Sequence, residues 1–222
     1  MIDFSIAISS LNRLECLKKC LQSITDSLKN SKDYEIVIVD NSTRQEVKNY
    51  LNTLKDIKVV HNTGIGEYSN HNKKFEISSG KYIYHCCDNY LVNNPNGIDW
   101  LQDIREVFEA EKDAKIAVVM NEATSSKVVC LTGLVNWNNT PKLKIKNVEY
   151  SILGSPNTHV FPTIGWTYKK EFFKIVGNFD TSRLIESNHM WQLIKKGYRF
   201  AVITNSATTG TIARMHDGRK FV

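Results

Sequence analysis

The sequence predicts an α/β fold in a single domain, with a mostly parallel central sheet flanked by helices. Three observations predict it. Short apolar, β-branched runs alternate with helix-period segments through the first ninety or so residues. The compact run at 35–39 stops at Asp40-Asn41-Ser42, residue types that end a strand and cap a helix. No internal repeat occurs, and no stretch rich in Pro, Gly or Ser divides the 222 residues. Residues 1–222 are therefore read as one domain, a regular half over about 1–92 and a less regular half over about 93–222.

The elements follow in order. Phe4 to Ser9 (FSIAIS) is a strand. Through Asn12 and Arg13 it leads into a helix with Leu14, Leu17, Leu21, Ile24 and Leu28 on one face. Glu35 to Val39 (EIVIV) is a second strand. A second helix over Gln45 to Leu54 places Val47, Tyr50, Leu51 and Leu54 together, and Ile57 to His61 is a third strand. After a polar stretch with Gly64 and Gly66 come a helix from Ser69 to Ser78 and a strand from Lys81 to Cys86. Further on, Trp100 to Glu111 is amphipathic. Ile116 to Met120 and Lys127 to Thr132 are strand-like, and Asn136 to Thr140 is turn-rich. Met190 to Lys196 reads as a helix stopped by Gly197, followed by the strand Arg199 to Ile203. Alternating strands and helices imply right-handed βαβ units, whose ligands bind beyond the carboxyl ends of the strands. Asp40 and Asp88 both fall just past such ends.

Composition narrows the classes. Hydrophobic residues make up 41% and charged residues 23%, and 4 Pro with 11 Gly exclude a collagenous or low-complexity chain. A net charge of +6 favours anionic partners without choosing among phosphorylated small molecules, nucleic acid and acidic membrane surfaces. No run of about 18 apolar residues predicts a transmembrane helix. The opening MIDFSIAISSLNRLE lacks the features of a signal peptide. The cysteines Cys16, Cys20, Cys86, Cys87 and Cys130 are odd in number and contain no CxxC, which argues against a disulfide framework or a zinc site. The chain reads as reduced, soluble and cytoplasmic, or peripheral to a membrane. Gly64-Ile65-Gly66 lacks the third glycine of a dinucleotide fingerprint, and GxxxxGK[ST], GxSxG and HExxH are absent.

Several segments resemble, in one order, the family-two glycosyltransferases of the GT-A fold, a Rossmann-like architecture. SIAISSLNR is similar to that family's opening strand and Asn-Arg turn, and EIVIVDNST to its second strand with a nucleotide-side Asp. HNTGIGEYSNHNKKFEISSGKYIYHCCDN resembles the stretch from Asn-x-Gly through a helix into Gly-x-Tyr-Ile and the Asp-x-Asp region. GNFD and LIESNHMWQLIKKGYR resemble the acceptor-side signature. The resemblance implies a GT-A domain in which about 1–92 binds a nucleotide sugar and about 93–222 serves the acceptor. It implies an inverting transferase that moves a sugar from a nucleoside-diphosphate sugar such as a UDP-sugar to a glycan, lipid-linked or other hydroxyl acceptor. A Mn²⁺ or Mg²⁺ ion is the implied cofactor. Ser9, Asn12, Arg13, Asp40, Asn62, His71, Asp88 and Asn89 are the implied donor-binding residues, with Asp88 and His216 as metal ligands and Glu186 as the catalytic base.

Each candidate also has a plainer reading. The family carries two or three aspartates where this chain has Cys87-Asp88-Asn89, so Asp88 is the remaining carboxylate, expected at an exposed strand end. A donor-bound cation takes most of its ligands from diphosphate and water, so one carboxylate can serve; Asp-Asn is also a common turn. Glu186 stands where the family has an Asp that deprotonates the acceptor, with one methylene more of reach, and it could equally favour a helix start. His216, flanked by Arg214, Asp217 and Arg219, completes the diphosphate site or is structural. Asp40 binds base or ribose, or caps the next helix. His71, Lys73 and Lys74 approach phosphates, or the lysines form a solvated helix face. Trp166 and Trp191 offer aromatic faces for a sugar, with core packing the plainer role for Trp191. Two alternatives stand beside the transferase: a catalytically weakened nucleotide-sugar binding protein, and a transferase with a nucleic-acid acceptor, which rests on charge alone.

Overall fold

A computed structural model describes residues 2–62, 67–92, 94, 97, 99–111, 115–121, 141–153, 165–177 and 192–204. The first four strands are parallel: β1 (Phe4–Ser10), β2 (Tyr34–Asp40), β3 (Lys58–His61) and β4 (Tyr82–Cys87), in the order β3-β2-β1-β4. β1 is central here and all seven of its residues are buried, because both faces of a parallel sheet are covered by helices. Phe4, Ile6 and Ile8 join one core, and Ala7 joins the other.

The first core lies under three helices. α1 (Leu14–Ser27) buries Leu17, Cys20, Leu21 and Ile24, with Leu28 just past its end, close to the predicted face. α2 (Gln45–Leu51) buries Val47 and Leu51 and stops three residues earlier than expected. α4 (Trp100–Ala110) starts at Asp99, whose carboxylate accepts from the Gln102 amide at 3.3 Å, and buries Trp100, Leu101, Ile104, Val107 and Phe108. The second core lies on the opposite face, where Phe75 of α3 (Glu67–Ile77) packs with Ala7, Val37 and Ile83.

Beyond β4 the sheet becomes mixed. β8 (Trp166–Lys169) runs antiparallel between β4 and β5 (Ile116–Asn121), and β9 (Arg199–Ile203) pairs parallel to β5. An antiparallel hairpin of β6 (Lys142–Ile145) and β7 (Val148–Leu153) closes the edge beside β9, giving the nine-stranded order β3-β2-β1-β4-β8-β5-β9-β7-β6. The hairpin, β8 and the short α5 (Phe172–Val176) were not predicted from sequence. The segments 127–132 and 136–140 lie outside the described residues. Among the described residues no helix is long and apolar enough to cross a membrane.

Candidate active site at the carboxyl ends of the parallel strands

The carboxyl ends of β1, β2, β3 and β4 bring seven of the expected donor-binding residues to one rim. Ser9 lies in register with Cys87 across β1 and β4, and its carbonyl accepts from the Asp88 amide at 2.9 Å. Past β1 the chain turns through Asn12, whose φ of 56° is a left-handed conformation that Asn tolerates. That turn aims the Asn12 side chain at the loop after β2. Its Oδ1 accepts from the Thr43 and Arg44 amides at 2.8 and 3.0 Å, while the Asn12 amide donates to Ser42 Oγ at 2.7 Å. One asparagine thus joins the first two loops of the rim.

Asp40, at the end of β2, is fully buried. Its Oδ1 accepts from Ser42 Oγ at 2.5 Å and from the Ser42 amide at 3.1 Å, and its Oδ2 lies 3.0 Å from His61 Nδ1. The Ser42 contacts close a local turn rather than cap the next helix, which starts after Arg44 with no side-chain cap. His61 escaped the sequence reading. The sequence shows only that a His and an Asp each end a strand; the register of β2 and β3 sets the two opposite each other. Asn62 follows, donating its amide to the Asp40 carbonyl at 2.8 Å and its Nδ2 to Asn70 Oδ1 at 2.9 Å, so α3 is tied to the same rim.

Asp88 departs most from expectation. Instead of standing at an exposed strand end it has 0% exposure, in a turn where the Tyr90 amide bonds the Cys87 carbonyl at 3.2 Å. Its Oδ2 accepts from the Leu11 amide at 2.9 Å, and its Oδ1 is ion-paired with Arg13 Nη2. Burial raises the Asp88 pKa; the Arg13 charge, the Leu11 N–H and the Ser10 hydroxyl oppose the rise. Asn89 beside it is also buried.

Two further expectations are corrected. Lys73 is half-buried and pairs with the exposed Glu76 at 2.7 Å, but Lys74 is no solvated lysine. With 0% exposure it extends beneath α3, Nζ donating to the Cys86 carbonyl at 3.1 Å and lying 3.3 Å from His85 Nε2. His71 is buried in the same layer, its ring centroid 4.3 Å from that of His85. Burial first, and the Lys74 ammonium second, push the His71 pKa down to about 2, so the imidazole is neutral. Trp166, expected to present a face to a sugar, is 2% exposed and packs in the core beside Tyr168 and Phe200. Glu186, Trp191, Arg214, His216, Asp217 and Arg219 lie outside the described residues.

The rim has the form of a nucleotide-side site in an α/β sheet, with polar loops beyond parallel strand ends. The family model described as Glycosyl transferase family 2 matches residues 5–177, which include all of these loops. The chain belongs to glycosyl transferase family 2. The fold agrees with solved GT-A structures. TarS of S. aureus is 14% identical with a TM-score of 0.63, the match covering 92% of this chain and 36% of that one. TarS 1–349 in complex with UDP is 17% identical with a TM-score of 0.62, covering 92% and 59%. The mannosyltransferase PcManGT from Pyrobaculum calidifontis, in complex with GDP-Man and Mn²⁺, is 14% identical with a TM-score of 0.64, covering 92% and 55%. At such identities the likeness shows the fold alone, and this family-two chain spans 36% to 59% of the length of these neighbours. No curated protein matches it.

A divalent ion accompanies the donor in the PcManGT complex. The described residues of this family-two chain do not fit such an ion. Mg²⁺ and Mn²⁺ require oxygen donors around an open octahedron, yet both Asp88 oxygens are engaged, one of them by a cation. Cys87, in the neighbouring position, offers a buried thiol. Among the described residues no group of three or more His, Cys, Asp or Glu side chains could hold a metal.

Proposed function

We propose that this chain transfers a sugar from a nucleoside-diphosphate sugar to an acceptor hydroxyl with inversion at the anomeric carbon. The observation that carries the reading is the rim itself: Asn12, Arg13, Asp40 and Asp88, from three loops, are locked together beyond the carboxyl ends of β1, β2 and β4. The family match supports glycosyl transfer, and the UDP and GDP-Man complexes of the structural neighbours support a nucleotide-sugar donor. In this reading Asn12 and the loop after β2 take the nucleoside, and Arg13 and Asp88 face the diphosphate. Glu186 is the base. It removes the acceptor proton as that oxygen attacks the anomeric carbon and the nucleoside diphosphate departs with the electrons of the broken bond. No metal step enters this reading.

The test is turnover with a panel of UDP-, GDP- and dTDP-sugars, for the wild type and for Glu186→Gln. We expect donor affinity to be nearly unchanged in Glu186→Gln and turnover to fall about 10²–10⁴-fold, the usual share of a positioned acid or base. Full turnover in Glu186→Gln would remove that residue from the chemistry. Donor binding by the wild type without transfer or hydrolysis would favour the nucleotide-sugar binding protein instead.

A further inference from the structure

We infer that Arg13 is the resident cation of the diphosphate site and that the site binds a nucleoside diphosphate without a divalent metal, an inference that rests on the donor class proposed above. The Asp88 carboxylate is the one acid at the strand end where a metal ligand was expected, and its Oδ1 is ion-paired with Arg13 Nη2. Its Oδ2 accepts the Leu11 amide, and Asp88 has no solvent exposure through which an ion could approach. A metal bound there would have to displace an arginine that the chain itself places one residue ahead of α1.

The two members of the pair are unequal. Asp88 is 0% exposed, whereas the Arg13 side chain is 23% exposed, so the carboxylate is covered while the arginine keeps part of its surface at the rim. A buried carboxylate that accepts from a guanidinium fixes its plane and position. A guanidinium carries five N–H donors in a rigid fork that matches phosphate oxygens, so it can lie on a carboxylate and a phosphate together. Arg13 also stands at the amino end of the 14-residue α1, where the aligned peptide dipoles favour an anion. Asp88 is then a positioning residue. It aims a tethered positive charge at the place where a metal would otherwise neutralise the leaving diphosphate.

The experiment is titration calorimetry of the whole chain with UDP and GDP, in EDTA and in Mn²⁺, alongside the matching nucleoside monophosphates. We expect one of the diphosphates to bind in EDTA within about threefold of its affinity in Mn²⁺. Arg13→Gln should weaken that metal-free binding by about tenfold to a hundredfold, the loss of a charge-assisted hydrogen bond. It should leave the monophosphate much less affected, and Arg13→Lys should recover part of the loss. A general structural role for Arg13 would instead weaken both nucleotides alike. If Arg13→Gln does not fold, the wild-type comparison in EDTA decides alone. Binding that requires Mn²⁺ overturns the inference and leaves the proposed donor class standing. Failure of both diphosphates under both conditions overturns the two together.

Discussion

Arg13 and Asp88 are 75 positions apart in sequence and share one ion pair at the rim. Sequence reading singled out both residues, but as separate donor contacts, and it placed Asp88 in the open. A side chain's partner depends on which loops the sheet brings side by side, and nothing local to Cys87-Asp88-Asn89 carries that information. The consequence concerns stability. Asp88→Ala deprives the Leu11 amide and the Arg13 guanidinium of their shared acceptor inside a covered turn. We expect it to lower unfolding free energy by about 1–3 kcal/mol, the cost of stranding a buried polar group. A urea denaturation curve checks this; an unchanged midpoint would mean that water replaces the carboxylate without loss. Asp40 differs, because one of its oxygens is satisfied by Ser42, two residues on. That part of its environment was legible.

At the scale of elements, β1 to β4 and their helices were legible because period and spacing are local properties. The short strand β8 was not. Trp166–Lys169 has four residues, and its antiparallel place between β4 and β5 is set by pairing across the sheet. The β6–β7 hairpin turns through Lys146-Asn147, and Lys146, with a φ of 50°, holds a left-handed position that Gly or Asn more often fills. Gly80, in contrast, belongs to the Gly-Lys-Tyr-Ile segment that the family resemblance pointed to, and its role is steric. It precedes β4 where the chain crosses β1, and its amide donates to Ser5 Oγ at 2.8 Å. A Cβ there would lie 2.6 Å from the Ser5 nitrogen and 2.7 Å from the Phe4 carbonyl carbon. Backbone of a central strand cannot give way as a flexible side chain can. Gly80→Ala should therefore cost about 1–3 kcal/mol, the usual range for overpacking, read as a lower thermal midpoint. A midpoint equal to wild type would show that β1 and β4 can separate at that end.

At the scale of the molecule, the buried layer under α3 sets how stability depends on pH. His71 is pushed down to about 2, and burial, then Lys74 and His71, hold His85 well below its ordinary value. Unfolded, both take up a proton near pH 6.5. Below that pH the unfolded chain binds more protons than the folded one, so stability falls as pH falls, by about 1.4 kcal/mol per pH unit for each His. Asp103 acts in the opposite sense. Burial and the neighbouring Glu106 and Asp99 carboxylates push it up to about 6, so the folded chain holds its proton first and gains stability between pH 6 and the ordinary carboxylate range. Asp88, also raised, adds to that opposition. The net expectation is acid destabilisation that begins near pH 6.5 and is shallower than two histidines alone would give. Urea midpoints from pH 4.5 to 7.5 test it. His85→Leu should flatten the slope by about one proton, and a slope that stays the same would place the titrating groups elsewhere.

The sequence by itself determined the parallel half of the sheet, the faces its helices bury and the strand ends at which a ligand would sit. These follow from periodicities of two and 3.6 residues and from cap chemistry, all of which act within a few positions. It also determined the family, because the ordered motifs of residues 5–177 are a property of the chain. Only the tertiary structure decided which polar groups face each other across loops: Asn12 on the Thr43 and Arg44 amides, His61 on Asp40, Arg13 on Asp88. Tertiary structure alone also decided that Lys74 and His71 are buried rather than bathed in solvent. Both distinctions have one physical cause. Desolvation and pairing depend on what other elements stack above a residue, and a helix face of mixed polarity does not reveal whether the sheet beneath it will offer partners.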